Sequence, residues 1–354
     1  MRYNIEFLRF VFTIAILLVH ASLPQHSGQT RATSYIANGA LCVDFFFILA
    51  GFFLYSDITQ KKYTTKTFAL KKYIRLAPVC AFSLVLHIIA FYTGAIKQSV
   101  HFKNELLNLF FIRDVGINSF AILPLENGLW ATNTHLWYLG PLFWVSLFFY
   151  YVMTHFSPKK ISIFIVIALF IITGLYFNSI RLCFGGLMRG FIGISMGIML
   201  RKANDKINYT YKWGGGILWT IIEVFCFEEI VKVVFIKPED FQLNFYFMLL
   251  FCVLLFSFYN GNGLCAKVLN KRCFGFMGRY CYSIYVMQWI VQNIIGNGNK
   301  LMNWSVYANF RKMHSSTELF TSLLVICLLG IVTYYLIERP CKEFLEKKIS
   351  PYTK

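Results

Sequence analysis

Apolar stretches long enough to cross a bilayer recur from one end of this chain to the other. A helix needs about 20 such residues to traverse the hydrocarbon core. Hydrophobic residues make up 57% of the sequence and charged ones only 14%, a balance foreign to soluble globular domains. No composition shift, low-complexity tract or long linker marks off a second unit. The sequence therefore reads as one all-α integral membrane domain over residues 1–354, a polytopic bundle of ten transmembrane helices.

The spans fall at approximately 5–23, 36–56, 76–96, 135–156, 160–177, 182–200, 213–231, 241–259, 280–296 and 318–337. With the N-terminus in the cytoplasm, 22 of the 34 Lys and Arg residues lie in inner loops and 10 in outer ones. Arg9 and Arg189 remain inside spans. The positive-inside rule then places both termini in the cytoplasm. The net charge of +18 is accordingly a topology signal, and nucleic acid is not an expected partner. The start resembles a signal peptide, but Glu6 and Arg9 interrupt it, so the segment reads as a retained first span.

Several features are read as structural. The ten cysteines show no C-x-x-C pair and no Cys/His ligand spacing, so neither a metal nor a disulfide framework is expected. Gly186-x-x-x-Gly190 and Gly193-x-x-x-Gly197 suit close helix packing. "WGGGILW" lacks the setting of a phosphate loop. Residues 97–134 form a long outer loop whose "LLNLFFI" dips into the interface. Glu223, Glu228 and Glu229 sit awkwardly in the outer half of the seventh span, which suggests a shorter or tilted helix.

The polar residues left inside the spans carry the functional signal, because an ionisable group in lipid costs roughly 2.5–3.5 kcal/mol or more. Arg9 and His20 are eleven positions apart, which at 100° per residue puts them on one helix face, about 16 Å apart along the axis. Together they suggest a polar pathway. Snorkelling of Arg9 and a carbonyl partner for His20 are the plainer reading of each alone. Asp44 is the only charge buried in the second span and needs a partner. Accepting from His20, it would orient the ring and make the other nitrogen a better base. The alternative is a structural pairing with Arg or Tyr. In "LKKYIRLAP", Arg75 and Pro78 open the third span, and Lys71, Lys72 and Arg75 suit phosphate groups. Positive-inside charge explains most of that cluster. Arg75, nearest the span, is the separate candidate.

R-x10-H in the first span, "VDFFFILAGFFL" in the second and "KKYIRLAP" before the third together resemble the membrane-bound acyltransferase family 3. "HLWYLGPLFW", "YCYSIYVMQ" and "YYLIERPCKEF" resemble weaker landmarks of that family, so the likeness covers nearly the whole chain. The resemblance implies a bundle of about ten helices. It also implies transfer of an acyl group, most often acetyl from acetyl-CoA, to cell-envelope glycans and other extracytoplasmic acceptors. Arg9 and His20 would be its R-x10-H pair. Two positions depart from the pattern. Leu142 stands where many members carry a glutamate, and Gln288 where many carry a histidine.

On this reading the chain is a multi-pass O-acyltransferase of the inner (plasma) membrane, with acetyl-CoA as donor substrate and an envelope glycan or lipid-linked glycan as acceptor. His20 acts as general base, Asp44 orients it, and Arg9, Arg75 and Arg189 hold the donor. His135 lines the acceptor entrance or serves a structural role at the interface. His87 reads as a satisfied core histidine, and Glu338 as a cap or ion pair near Arg339. A transporter or flippase of a glycan or polyanion is the alternative. It would use Arg9, Asp44 and Arg189 as a path, but no internal repeat or matched broken helices support it.

Overall fold

The computed structural model describes residues 2–22, 39–60, 63–96, 102–112, 134–156, 185–208, 216–236, 243–297 and 315–349. Among these residues the fold is all helix and turn. In chain order the helices are α1 (Tyr3–Ser22), α2 (Cys42–Thr59), α3 (Thr65–Tyr92), α4 (Phe102–Leu109), α5 (Leu139–His155) and α6 (Gly185–Asn208). They continue with α7 (Gly216–Ile236), α8 (Leu243–Asn260), the short α9 (Leu264–Val268), α10 (Cys281–Asn297), α11 (Ser315–Thr333) and α12 (Arg339–Ile349). Short 3₁₀ turns at Gly39–Leu41 and Thr134–Tyr138 lead into α2 and α5, and a π turn, Tyr334–Glu338, joins α11 to α12. The expected fifth span, 160–177, lies outside the described residues, as does most of the 97–134 loop.

Segments 39–59, 65–92, 135–155 and 320–345 are helices long and apolar enough to cross a membrane. Their outward faces fit lipid. Phe320, Leu324, Leu328, Val332 and Leu336 recur every fourth residue and are all exposed, a continuous apolar stripe with no protein to cover it among the described residues. Aromatic rings cross-link the largely aliphatic core. Phe12 of α1 meets Phe45 of α2 at 4.6 Å and Phe251 of α8 at 5.0 Å between ring centroids, which ties three helices at one level.

The tightest contact joins α2 to α6. A side chain built at Gly197 would run into the α2 backbone at Ile48 and Phe52, and one at Gly193 into Phe47. Gly186 and Gly190 instead face Trp137 and Pro141 at the start of α5. Both small-residue pairs thus serve packing, each against a different neighbour. Gly197→Leu is expected to destabilise the protein by about 1–3 kcal/mol, the usual cost of overpacking. A thermal ramp in lipid nanodiscs, followed by the fraction that stays monodisperse, checks this.

Two sequence expectations shift. The third helix begins eleven residues before the expected span, where Thr64 caps it by accepting from the Thr67 amide at 3.2 Å. Pro78 consequently lies inside α3 and does not open it, so Lys71, Lys72 and Arg75 ride on a helix whose register is fixed. The seventh span is neither shortened nor acidic in its outer half at Glu223. That carboxylate is fully buried and accepts from Ser257 Oγ (2.6 Å) and from the backbone N–H groups of Gly263 and Ala266. It caps α9, whose first amides have no helical partner. Glu228 and Glu229 pair with Lys232 on the exposed side.

Candidate active site

Three helices converge on one cavity through faces readable in their spacing. On α1, Glu6, Arg9, Thr13 and Ile16 line it. Steps of three and four residues keep these on one face, and His20 is the next position on that stripe. On α3 the wall is Phe68, Lys71, Lys72, Arg75 and Leu76; on α10 it is Cys281, Tyr282 and Tyr285. Apolar residues of α2, among them Val43, Phe46 and Leu49, close one side. The volume is about 420 Å³, within the range of small-molecule sites.

The cavity is cationic at one end and aromatic at the other. Arg9 Nη1 donates to Glu6 Oε2 at 2.6 Å, so the charge of Arg9 is already balanced. Lys71 donates to the Tyr63 hydroxyl at 2.6 Å. Arg75 is exposed to the cavity and makes no ion pair among the described residues. A guanidinium in that state is a ready anion ligand. At the far end stand Tyr138 and Tyr285, packed edge to face with centroids 4.6 Å apart.

Past the tyrosines lies a pair of histidines. His20 and His135 stack with centroids 3.7 Å apart and an interplanar angle of 31°. His20 Nδ1 is 3.4 Å from Gln288 Oε1, the long end of hydrogen-bond range. With the amide oxygen as acceptor, the proton sits on Nδ1 and the Nε2 lone pair is free to act as a base. Trp289 meets the His135 ring edge-on at 4.2 Å. Tyr285 spans the two regions. Its ring lines the cavity, and its hydroxyl donates to the His135 carbonyl at 2.6 Å.

The structure does not bring Asp44 to His20. Asp44 Oδ1 accepts from Arg189 Nε at 2.9 Å, and Arg189 Nη2 donates to the Ala40 carbonyl at 2.8 Å. The acid sits in the first turn of α2, and its neighbour Phe45 packs level with Phe12, not with His20. The partner differs, because a fully buried carboxylate gains more from a guanidinium than from a neutral imidazole. Gln288 is the acceptor on His20 instead. Arg189 is therefore engaged with Asp44, also lies over the Trp137 ring at 5.1 Å, and is absent from the cavity wall.

The weaker candidates resolve individually. His87 is buried with Nδ1 at 2.7 Å from the Ser83 carbonyl. Glu338 accepts from Ser283 Oγ at 2.6 Å, whereas Arg339 pairs with Glu343. Among the described residues no group of three His, Cys, Asp or Glu side chains is placed to hold a metal.

Comparison with family models matches residues 2–338 to an acyltransferase domain, that of acyltransferase family 3. The chain belongs to that family. It is a membrane acyltransferase. No curated protein and no solved structure gave a match. In this family-3 acyltransferase, Leu142 lies in the cavity wall, so the position many members fill with a carboxylate is apolar here. The residues that sequence reasoning missed are Gln288 as a contact of His20, Tyr285 and Tyr138. The family landmark "YCYSIYVMQ" holds two of them, but its repeating aromatics look the same whether they pack or serve the site.

Proposed function

We propose that this acyltransferase takes acetyl from acetyl-CoA at the cytoplasmic face. The acceptor is a hydroxyl of an extracytoplasmic envelope glycan or its lipid-linked precursor. The protein then lies in the inner membrane, with both termini cytoplasmic and ten spans. The observation that carries this reading is the order of chemistry along one helix face. A cationic cavity holds Arg9, and the stacked His20 follows about 16 Å further along the axis. A polyanionic head with a long thin arm ending in a thioester fits that order. Arg75, Lys71, Lys72 and Arg9 would receive the phosphates, and the arm would extend past Tyr138 and Tyr285.

His20 Nε2 takes the proton from the acceptor hydroxyl as its oxygen attacks the thioester carbonyl. The C–S bond breaks, the acetyl ester forms, and the departing thiolate receives the proton from His20. Gln288 holds the ring in the tautomer this requires. Asp44 and Arg189 stabilise the surrounding helices and take no part in the transfer.

Membranes given labelled acetyl-CoA test the assignment. Label is expected on the glycan fraction. A glycan fraction that stays unlabelled would overturn the reading. Arg75→Ala is expected to raise the KM for acetyl-CoA about tenfold or more, as the loss of one hydrogen-bonded charge contact implies. The acceptor KM should not move, and steady-state kinetics at saturating acceptor separates the two.

A further inference from the structure

The α10 stripe that lines the cavity continues beyond it. Cys281 and Tyr285 face the cavity, and the next positions at three- and four-residue spacing are Gln288 and Gln292. Both are buried, with 0% and 6% of their surface exposed. Gln288 Nε2, Gln292 Nε2 and Oε1, and His135 Nε2 have no hydrogen-bond partner among the described residues. Buried polar atoms in folded proteins are nearly always paired, and each exception calls for an explanation. Asp44 Oδ2 and His87 Nε2 are likewise unpaired elsewhere, but two of the residues named here meet His20 directly. Gln288 touches the His20 ring, His135 stacks on it, and Gln292 stands one turn further out, about 6 Å along the axis.

We propose that these three side chains form the acceptor subsite of His20 and that it takes an uncharged, hydroxyl-rich sugar residue. This rests on the transferase reading above. An amide offers both a donor and an acceptor, which matches a hydroxyl's two roles. Two amides one turn apart can meet two hydroxyls of a single ring while a neighbouring hydroxyl faces His20. The described groups in contact with the His20 ring are an amide and an imidazole, and the guanidinium of Arg189 is engaged with Asp44. A carboxylate or phosphate on the reacting sugar would be desolvated there without a counter-charge. The amide at position 288 also gives this chain a recognition group different from the histidine of many family members.

The test uses the full-length protein in membranes, labelled acetyl-CoA and the envelope glycans of the cells that make it. Mass spectrometry identifies the sugar residue that gains the label. Label on a neutral sugar is expected; label on a uronic, sialic or phosphorylated residue would overturn the proposal. Gln292→Met keeps length and volume but removes both hydrogen-bonding atoms. It is expected to raise the acceptor KM about tenfold with the acetyl-CoA KM and the melting temperature unchanged. An unchanged acceptor KM would refute the assignment. Should Gln292→Met fail to fold, Gln292→Asn carries the same comparison, since it displaces the amide without removing it. If the wild type labels no glycan at all, the reading of a glycan acceptor fails and not the subsite alone.

Discussion

His20→Ala is expected to lower acetyl transfer by about 10²- to 10⁴-fold, the contribution of a positioned general base, while donor binding stays intact. The reason is spatial. The cationic end of the cavity is built by Glu6, Arg9 and the α3 residues, and none of these touches the His20 ring. Removing the imidazole leaves His135 without its stacking partner but leaves the donor's phosphate ligands in place. Acetyl-CoA affinity, measured by calorimetry on purified protein, should therefore match wild type while turnover collapses. Retained turnover would exclude His20 as the base. Gln288→Leu is a milder version: the ring and its lone pair survive, while the contact at 3.4 Å that fixes the tautomer and one amide of the acceptor subsite are lost.

Asp44→Ala is expected to be the most destabilising single replacement, at about 3–5 kcal/mol, because it strands the charge of Arg189 in a buried setting. The acid is fully buried and the guanidinium nearly so, with side-chain exposures of 0% and 14%. Removing both charges together, as in Asp44→Leu with Arg189→Met, should recover most of the loss, since an apolar pair of similar volume avoids desolvation altogether. Thermal unfolding of the single and double variants in nanodiscs measures this. The double variant should also retain transfer. If the folded double variant is inactive, Asp44 or Arg189 acts in the chemistry after all.

That second experiment also marks how far the sequence could be read. The face shared by Arg9 and His20 follows from helical periodicity alone, and so do the small-residue ladder of α6 and the cationic turn before the third span. Each is local, contained within a few turns. Asp44's partner lies 145 positions away and His20's contact with Gln288 spans 268. Nothing within a span announces which distant helix will face it. A buried Asp44 needs a cation or an imidazole, and charge alone does not choose between them. The beginning of α3 was hidden for a different reason. Hydropathy marks where a helix enters lipid, whereas Thr64 caps a helix whose first turns are polar, and Pro78 looked like a start only because proline is tolerated best there.

The hydroxyl of Tyr285 has a thermodynamic consequence. Its ring belongs to the cavity, and its hydrogen bond holds the backbone of His135, the residue stacked on His20. Filling the cavity and settling the histidines are thus linked through one side chain. Such linkage runs equally in both directions: whatever factor a bound donor applies to the acceptor's affinity, a bound acceptor must return to the donor. Measuring either affinity with and without the other substrate would give the size of that coupling, and Tyr285→Phe should shrink it from both sides alike.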